Sequence, residues 1–397
     1  MNERLQCIVC NETYATDHVR YECACGGLLS VERDAFPAST ATFDERLASR
    51  DTLDRSGVWR FREGVLSGDT IVTHPEGGTR MYDRLGVLFK HEGENPTGSF
   101  KDRGMTVAVT QAVRLGARAI ACASTGNTSA SLAAYAAQAG LQAVVFIPAG
   151  KVATGKLAQT LAYGATCLQV RGDFDEAMKL VREASTRLGI YLVNSINPFR
   201  IEGQKTIVWE LLQDLEWNAP DWIVVPAGNL GNTSAFGKAL REAHAAGWIR
   251  TMPRLAAIQA EGANPFYRSF AEAFATRHRV AAETIASAIR IGDPVSHDRA
   301  VVAIRATNGL VEQVTDAELM AAKREIDAAG IGCEPASATT YAGVRKLRAA
   351  GVIGQNERVV CVLTGHLLKD PEAILRNPAG RAVEIDANLA AVEAALR

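Results

Sequence analysis

From about residue 85 onward, short apolar runs alternate with longer segments in which apolar residues recur at helical spacing. The first three units read GVLFKHE then KDRGMTVAVTQAVRLG, AIACAS then TSASLAAYAAQAG, and AVVFIP then GKLAQTLAYG. Apolar runs this continuous are typical of strands buried on both faces, and the intervening helices cover those faces. The alternation therefore predicts a doubly wound α/β architecture with parallel sheets.

Size and charge limit the classes of function that remain open. The chain has 397 residues, 47% of them hydrophobic, which is enough to bury the cores of two or more domains. Its 43 basic and 44 acidic residues give a formal net charge of -1, so it has no long-range field for holding nucleic acid or an anionic membrane. The sequence shows neither an apolar run of membrane-spanning length nor a signal peptide. We therefore expect a cytoplasmic enzyme that binds anions through local contacts.

Three loops carry an unusual density of glycine and polar residues. They read ENPTGSFKD at 94–102, STGNTS at 124–129 and PAGNLGNTS at 226–234. In open α/β sheets, ligands bind beyond the carboxyl ends of the strands, where such loops lead into helix N-termini. We expect the chemistry of the chain to lie there.

The loop at 228–232, GNLGN, follows the apolar run WIVVPA and precedes a helical segment. Its glycines let the backbone approach a ligand closely, and the N–H groups and the helix dipole favour an anion. The loop is therefore a candidate phosphate site. An ordinary strand-to-helix turn of this composition remains the alternative.

The two other loops add polar groups and an amine. Residues 124–129 offer several hydroxyl and amide groups at a helix N-terminus, where a plain helix cap needs only one, so the cluster favours a bound carboxylate or phenolic oxygen. Lys101 lies at the start of a predicted helix, where a positive charge opposes the helix dipole. An amine whose pKa is lowered can serve as a Schiff-base nucleophile.

Five motifs together resemble the threonine synthases, in which they occur in the same order: NPTGSFKDRG, CASTGNTSAS, VNSINPFRIEGQKT, PAGNLGN and VLTGHLLKDP. The resemblance spans about residues 85–375. It implies the type II pyridoxal-phosphate (PLP) fold of the tryptophan synthase β subunit, and a homodimer. The expected organisation is a cysteine knuckle at 1–33, a connecting arm at 34–84, a large PLP-binding domain at 85–103 and 195–397, and a small α/β domain at 104–194.

The resemblance also implies cofactor contacts. Lys101 would form the Schiff base to PLP, Asn127 would hydrogen-bond the phenolic oxygen, and Thr364 in LTGH would hydrogen-bond the pyridine nitrogen. Threonine synthases commonly have alanine where this chain has leucine in the phosphate loop, a difference that keeps the backbone N–H groups. The loop expected to hold the cofactor phosphate consists of Gly228, Asn229, Leu230, Gly231 and Asn232.

The substrate contacts follow in the same way. The segment NSINPFR would bind the phosphate of a phosphorylated amino acid through Asn194, Ser195 and Arg200. The substrate carboxylate would be received by Ser124, Thr125 and Thr128. The implied reaction converts O-phospho-L-homoserine and water to L-threonine and phosphate. Two related activities stay open, because loop residues do not fix cavity depth: a synthase acting on O-phosphoserine, such as cysteate synthase, and a threonine or serine dehydratase.

A cluster of cysteines near the N-terminus, Cys7, Cys10, Cys23 and Cys25, resembles the paired knuckles of a zinc ribbon. Four thiolates can close a tetrahedral structural zinc site, and His18 is an alternative ligand. The second pair is tighter than the common two-residue gap, so zinc occupancy is open. A nucleic-acid-binding ribbon is the competing interpretation, but the segment lacks clustered basic and aromatic residues.

Overall fold

The computed structural model describes residues 3–34, 38–124, 126–150, 154–172 and 174–396. Within them, thirteen strands form three sheets. In chain order these are β1 (Glu3–Cys7), β2 (Thr13–Ala15), β3 (Leu29–Arg33), β4 (Met81–Arg84), β5 (Val87–His91), β6 (Ala119–Ala123), β7 (Gln142–Pro148), β8 (Thr166–Val170), β9 (Tyr191–Leu192), β10 (Trp222–Pro226), β11 (Arg254–Ala260), β12 (Leu310–Val314) and β13 (Val359–Leu363).

The same residues form fifteen α-helices, most of which follow a strand. They are α1 (Thr40–Leu47), α2 (Thr52–Arg55), α3 (Lys101–Arg114), α4 (Asn127–Ala139), α5 (Thr154–Ala162), α6 (Phe174–Leu188), α7 (Pro198–Gln204), α8 (Thr206–Asp214), α9 (Gly231–Ala245), α10 (Pro265–Ala271), α11 (His297–Ala306), α12 (Asp316–Ala328), α13 (Pro335–Ala349), α14 (Pro371–Arg376) and α15 (Leu389–Leu396).

The largest sheet has the strand order β12-β11-β10-β13-β5-β4. Its strands pair in parallel, except that β4 pairs antiparallel with β5. Both faces are covered: Ile223 and Val225 of β10 belong to one buried apolar cluster, whereas Trp222 and Val224 belong to another. The predicted doubly wound architecture is confirmed. The carboxyl ends of β5, β13 and β10 lie side by side, and the loops that follow them carry the predicted cofactor residues.

A four-stranded parallel sheet, in the order β8-β7-β6-β9, carries the remaining predicted site residues. The chain leaves β6 through the loop at 124–129 and leaves β9 through the segment that contains Asn194 and Arg200. Because β6 and β9 pair directly, these two segments emerge next to each other at one edge of the sheet.

The antiparallel edge strand β4 is a feature that the pattern of apolar runs did not predict. Leu85 and Gly86 connect β4 to β5, and both have positive φ, at 56° and 73°. Two successive positive φ angles form the type of two-residue turn that matches the twist of a β-hairpin. The turn lies at the boundary between the predicted arm and the large domain.

The N-terminal sheet, β2-β1-β3, is antiparallel and is attached to the rest of the chain by buried charges. The guanidinium of Arg33 in β3 donates a 2.6 Å hydrogen bond to Glu202 in α7. Lys205 and Lys238 also pair with Glu202, each at 2.7 Å. One carboxylate thus ties the cysteine knuckle to helices α7 and α9.

A second buried ion network fixes the start of α3. Arg103, whose side chain is fully buried, pairs with Glu92 at 2.7 Å and with Glu210 at 2.8 Å. Lys90 also pairs with Glu210, at 2.7 Å, and with Asp214, at 2.6 Å. Burial alone would lower the pKa of Arg103, but the carboxylates of Glu210 and Glu92 outweigh that effect and raise it. Breaking one buried pair leaves an uncompensated charge in a low-dielectric interior.

We therefore predict that Arg103→Met destabilises the chain by about 3–5 kcal/mol, as expected for loss of one partner of a buried ion pair. Chemical unfolding followed by circular dichroism measures this as a lower midpoint. The control is Arg345→Met, which removes the exposed pair between Arg345 and Glu325 and should cost about 1 kcal/mol or less. Equal shifts for the two variants would contradict the prediction.

Candidate active site

Lys101 begins α3 at the carboxyl end of the large sheet. The turn before it is held to the end of β13: the backbone N–H of Phe100 donates to the carbonyl of Thr364 at 3.0 Å, and Ser99 bridges to Gly365. The Lys101 ammonium nitrogen lies 4.3 Å from the centroid of the Phe100 ring. The structure therefore brings Lys101 and Thr364, which are 263 residues apart in sequence, to one point of the sheet.

The electrostatic surroundings of Lys101 favour the neutral amine. Burial, followed by the positive charge of Arg200, lowers the pKa of Lys101 to about 7, and the opposing effect of Glu334 is smaller. With a pKa of about 7, a substantial fraction of the amine is unprotonated at neutral pH and can attack an aldehyde or accept a proton from carbon. This is the property that a Schiff-base lysine requires.

The loop at 228–232 joins β10 to α9 in the manner expected of an anion cradle. Leu230 adopts a left-handed conformation with φ 63° and is the N-cap of α9. Within the described part of the chain, no hydrogen bond takes up the backbone N–H of Asn229 or Leu230. A Cβ atom added to Gly228 would lie 2.8 Å from the Cα of Ile289, so only glycine fits there. Free N–H groups at a helix N-terminus suit a phosphate.

Asn127 and Thr364 are joined by a carboxylate that the motifs did not indicate. The Nδ2 atom of Asn127 donates to Glu334 Oε2 at 3.0 Å, and the Thr364 hydroxyl donates to Glu334 Oε1 at 3.3 Å. Burial raises the pKa of Glu334, against the smaller effect of the Asn127 hydrogen bond. Glu334 precedes Pro335 at the start of α13, and the proline marks the beginning of a helix without indicating a role for the glutamate at the site.

The three residues predicted to bind the substrate phosphate lie in different environments. Asn194 makes a two-way hydrogen bond with the backbone of Ala123, at 3.0 and 3.1 Å, so its amide joins the ends of β6 and β9. Ser195 accepts a hydrogen bond from Asn229 Nδ2 at 2.9 Å, which links it to the phosphate loop. Arg200 is the member of this group with a buried donor atom that has no hydrogen-bond partner among the described residues.

Arg200 is 2% exposed, and one of its terminal nitrogens donates to the carbonyl of Val193 at 3.2 Å. Its Nε atom is buried without a hydrogen-bond partner. Among the described side chains, no carboxylate lies within ion-pairing distance of this guanidinium. A buried, unpaired guanidinium is costly unless an anion binds to it.

The structure describes part of the polar loop that follows β6. The Ser124 hydroxyl accepts a hydrogen bond from the backbone N–H of Gly126 at 3.4 Å. Thr128 lies in the first turn of α4 and is partly exposed. Thr125 lies outside the described residues. The predicted carboxylate role of this loop stays a prediction.

The residues present fit pyridoxal phosphate. A partly neutral lysine, a phosphate cradle with free N–H groups, an amide and a hydroxyl converge at the carboxyl ends of β5, β10 and β13. These are the groups that an aldehyde, a phosphate, a phenolic oxygen and a pyridine nitrogen need. Lys101 would hold the aldehyde carbon, and the loop at 228–232 the phosphate.

The four N-terminal cysteines also converge. The sulfur atoms of Cys7, Cys10, Cys23 and Cys25 all lie within 4.8 Å of one another. His18 is not part of this group: its ring is exposed and pairs with Asp17 at 2.6 Å. A Cβ atom added to Gly27 would lie 2.6 Å from Cys7 Sγ, so the turn after Cys25 needs glycine to let the thiols approach.

Comparison with known proteins identifies the family of the chain. The family model "Pyridoxal-phosphate dependent enzyme" matches residues 72–365, and the fold and site therefore define an enzyme of that class. The threonine synthase of Methanosarcina acetivorans is 47% identical over 99% of this chain and 98% of its own length. That of Methanocaldococcus jannaschii is 47% identical over 94% of both chains. The chain belongs to the threonine synthase family.

Solved structures show the same fold at lower identity. Escherichia coli threonine synthase matches 98% of this chain and 94% of its own, with a TM-score of 0.74 and 20% sequence identity. Threonine deaminase isoform 2 of Solanum lycopersicum matches 86% of this chain with a TM-score of 0.64. These structures confirm the predicted PLP fold, and the family model and the relatives confirm the family and pyridoxal phosphate as the cofactor.

We predict that PLP attaches covalently to Lys101 and that borohydride makes this link permanent. Because only the unprotonated amine attacks, the rate of attachment should rise with pH and level off above about 7, rather than continue towards the ordinary lysine pKa of 10.5. Stopped-flow absorbance measures the rate of attachment, and peptide mass spectrometry identifies the labelled lysine. Lys101→Ala should show no label, whereas Lys346→Ala, which removes a partly exposed lysine paired with Glu312, should label normally.

Proposed function

We propose that this chain converts O-phospho-L-homoserine and water to L-threonine and phosphate. The observation that carries the proposal is the unpaired, buried guanidinium of Arg200 beside Lys101, in a chain that belongs to the threonine synthase family. An overall charge near zero supplies no attraction for a phosphorylated substrate. Arg200 supplies that attraction locally, and its planar donor groups match a phosphate.

In the proposed reaction, some residues bind the substrate and the cofactor, and Lys101 transfers protons. Bound PLP supplies a conjugated ring that accepts electron density from the substrate. Lys101 Nζ moves protons between the substrate carbons, since it exchanges a proton readily near neutral pH. Arg200 and Ser195 hold the substrate phosphate, and Ser124, Thr125 and Thr128 hold its carboxylate. Thr364 would contact the pyridine nitrogen with a neutral hydroxyl, which would moderate the electron demand of the ring.

Two related activities compete with this proposal. A synthase acting on O-phosphoserine needs the same phosphate contacts with a shorter substrate, and a threonine or serine dehydratase needs none of them. The buried Arg200 favours a phosphorylated substrate over the dehydratase. The identity to threonine synthases over nearly the whole chain favours the longer substrate.

We predict that the purified chain releases phosphate from O-phospho-L-homoserine and forms threonine, and that Arg200→Met raises KM about 30-fold or more, as for the loss of one buried partner of a charge pair. Arg376→Met, an exposed arginine, is the matched control and should leave KM unchanged. Phosphate release and amino-acid analysis measure both. If the chain turned over O-phosphoserine or threonine but released no phosphate from O-phospho-L-homoserine, the proposed substrate would be refuted.

We propose that the four-cysteine cluster binds a structural zinc ion. Four thiol sulfurs grouped within 4.8 Å can close a tetrahedral site around one ion, with no position left for a substrate. The ion would hold β1 to the turn after β2, and so stabilise the small N-terminal sheet, which has few buried apolar residues of its own. Its role is structural and separate from the proposed reaction.

We therefore expect about one zinc ion per chain, measured by elemental mass spectrometry, and its loss in Cys10→Ser. Cys167→Ser, a cysteine in β8, should keep its zinc. Removal of zinc should also lower the melting temperature. A chain purified under reducing conditions without metal, and unchanged by added zinc, would rule the site out.

We propose a homodimer in the cytoplasm, on the resemblance to threonine synthases. No helix among the described residues has the length and apolar character needed to cross a membrane.

A further inference from the structure

Glu334 lies between two residues expected to contact opposite ends of the cofactor ring. Its Oε2 atom accepts a hydrogen bond from Asn127, the predicted contact of the phenolic oxygen. Its Oε1 atom accepts one from Thr364, the predicted contact of the pyridine nitrogen. One carboxylate therefore joins the start of α4 to the end of β13.

The backbone around Glu334 holds the carboxylate in place. The N–H of Glu334 donates to the carbonyl of Gly365 at 3.0 Å. A Cβ atom added to Gly365 would lie 2.4 Å from Glu334 Cδ, so the glycine of LTGH lets the carboxylate lie directly against the strand end. Glu334 is 5% exposed. The positive charges that face it are those of Lys101 and Lys369.

The contact with Asn127 decides which way the amide faces. A carboxylate accepts hydrogen bonds and repels a carbonyl oxygen, so Glu334 requires the NH₂ group of Asn127 on its side. That group has two hydrogens, and Glu334 accepts one of them. The second remains available to an acceptor such as a phenolic oxygen.

The hydrogen bonds around Thr364 determine where its hydroxyl proton can go. The oxygen of Ser337 accepts from the backbone N–H of Thr364 at 2.8 Å and from that of Gly365 at 3.1 Å. Both lone pairs are used, so the single proton of Ser337 is donated to Thr364 Oγ1, at 3.0 Å. Thr364 then has one proton left, and Glu334 competes with the ring nitrogen for it.

We propose that Glu334 is a positioning residue. It turns the NH₂ group of Asn127 so that its second hydrogen is available to the phenolic oxygen, and it competes with the ring nitrogen for the hydroxyl proton of Thr364. The proposal rests on the proposed placement of the cofactor at Lys101 and the loop at 228–232. Glu334 acts through its two neighbours and does not contact the substrate.

Two substitutions separate the two contacts. Glu334→Gln keeps a carbonyl oxygen for Asn127 but turns an NH₂ group towards Thr364, which must then direct its proton to the ring nitrogen. We expect its affinity for PLP to stay within about threefold, while the absorption maximum of the bound cofactor shifts. Glu334→Ala loses both contacts and should bind PLP about tenfold more weakly or worse.

The matched control is Glu357→Gln. Glu357 accepts a hydrogen bond from the indole of Trp222 at 3.1 Å and lies before β13, at the opposite end of that strand from Thr364. Its substitution should alter neither the spectrum nor the affinity. In an Asn127→Ala background, Glu334→Ala should weaken PLP binding by a smaller factor than in the unaltered chain, because the two side chains act as one unit.

Three results would overturn the proposal. One is a Glu334→Gln spectrum identical to that of the unaltered chain, and another is additive losses in the double variant. The third is an equal drop in melting temperature for Glu334→Ala with and without PLP, which would make the residue purely structural. All of these measurements omit substrate, so a chain that bound PLP in the expected way but released no phosphate would contradict the proposed function alone.

Discussion

The position of Lys101 depends on the buried guanidinium of Arg103, two residues further along α3. Arg103 pairs with Glu92, just before the lysine turn, and with Glu210 in α8. These partners tie the first turn of the helix to the end of β5 and to a neighbouring helix. Buried charges repay their desolvation only in well-matched geometry, so the network allows little freedom to shift. Because Arg103 is fixed, Lys101 stays at the carboxyl ends of the strands, where the other predicted cofactor groups lie.

Two buried lysines near this network have pKa values that are shifted in opposite directions. Lys90 is enclosed with Glu210 and Asp214, and these carboxylates outweigh the effect of burial and raise its pKa. Lys101 lies near the positive charge of Arg200, which adds to the effect of burial and lowers its pKa to about 7. The nearby charge decides between a permanently positive structural group and a reactive amine.

Much of the fold could be read from the sequence, because continuous apolar runs and helical spacing are local properties. The apolar runs of β5, β6, β7 and β10 were all predicted. The hairpin at Leu85 and Gly86 was missed, since its signal is turn geometry rather than an apolar pattern. Glu334 could not be found, because it meets Asn127 and Thr364 only when α4, α13 and β13 pack together. The exchange between Asn194 and Ala123 likewise depends on the pairing of β6 with β9.

Arg200 differs from the buried cations that surround Glu202, although it lies in the same helix, α7. Arg33, Lys205 and Lys238 all pair with Glu202. Arg200 donates to a backbone carbonyl and pairs with no carboxylate among the described residues, and its positive charge adds to the effect of burial in lowering the pKa of Lys101. An anion bound to Arg200 would offset that charge and raise the pKa of the nearby amine. In the proposed reaction, substrate phosphate would then help Lys101 to keep a proton taken from carbon, and departure of the phosphate would make that proton easier to return.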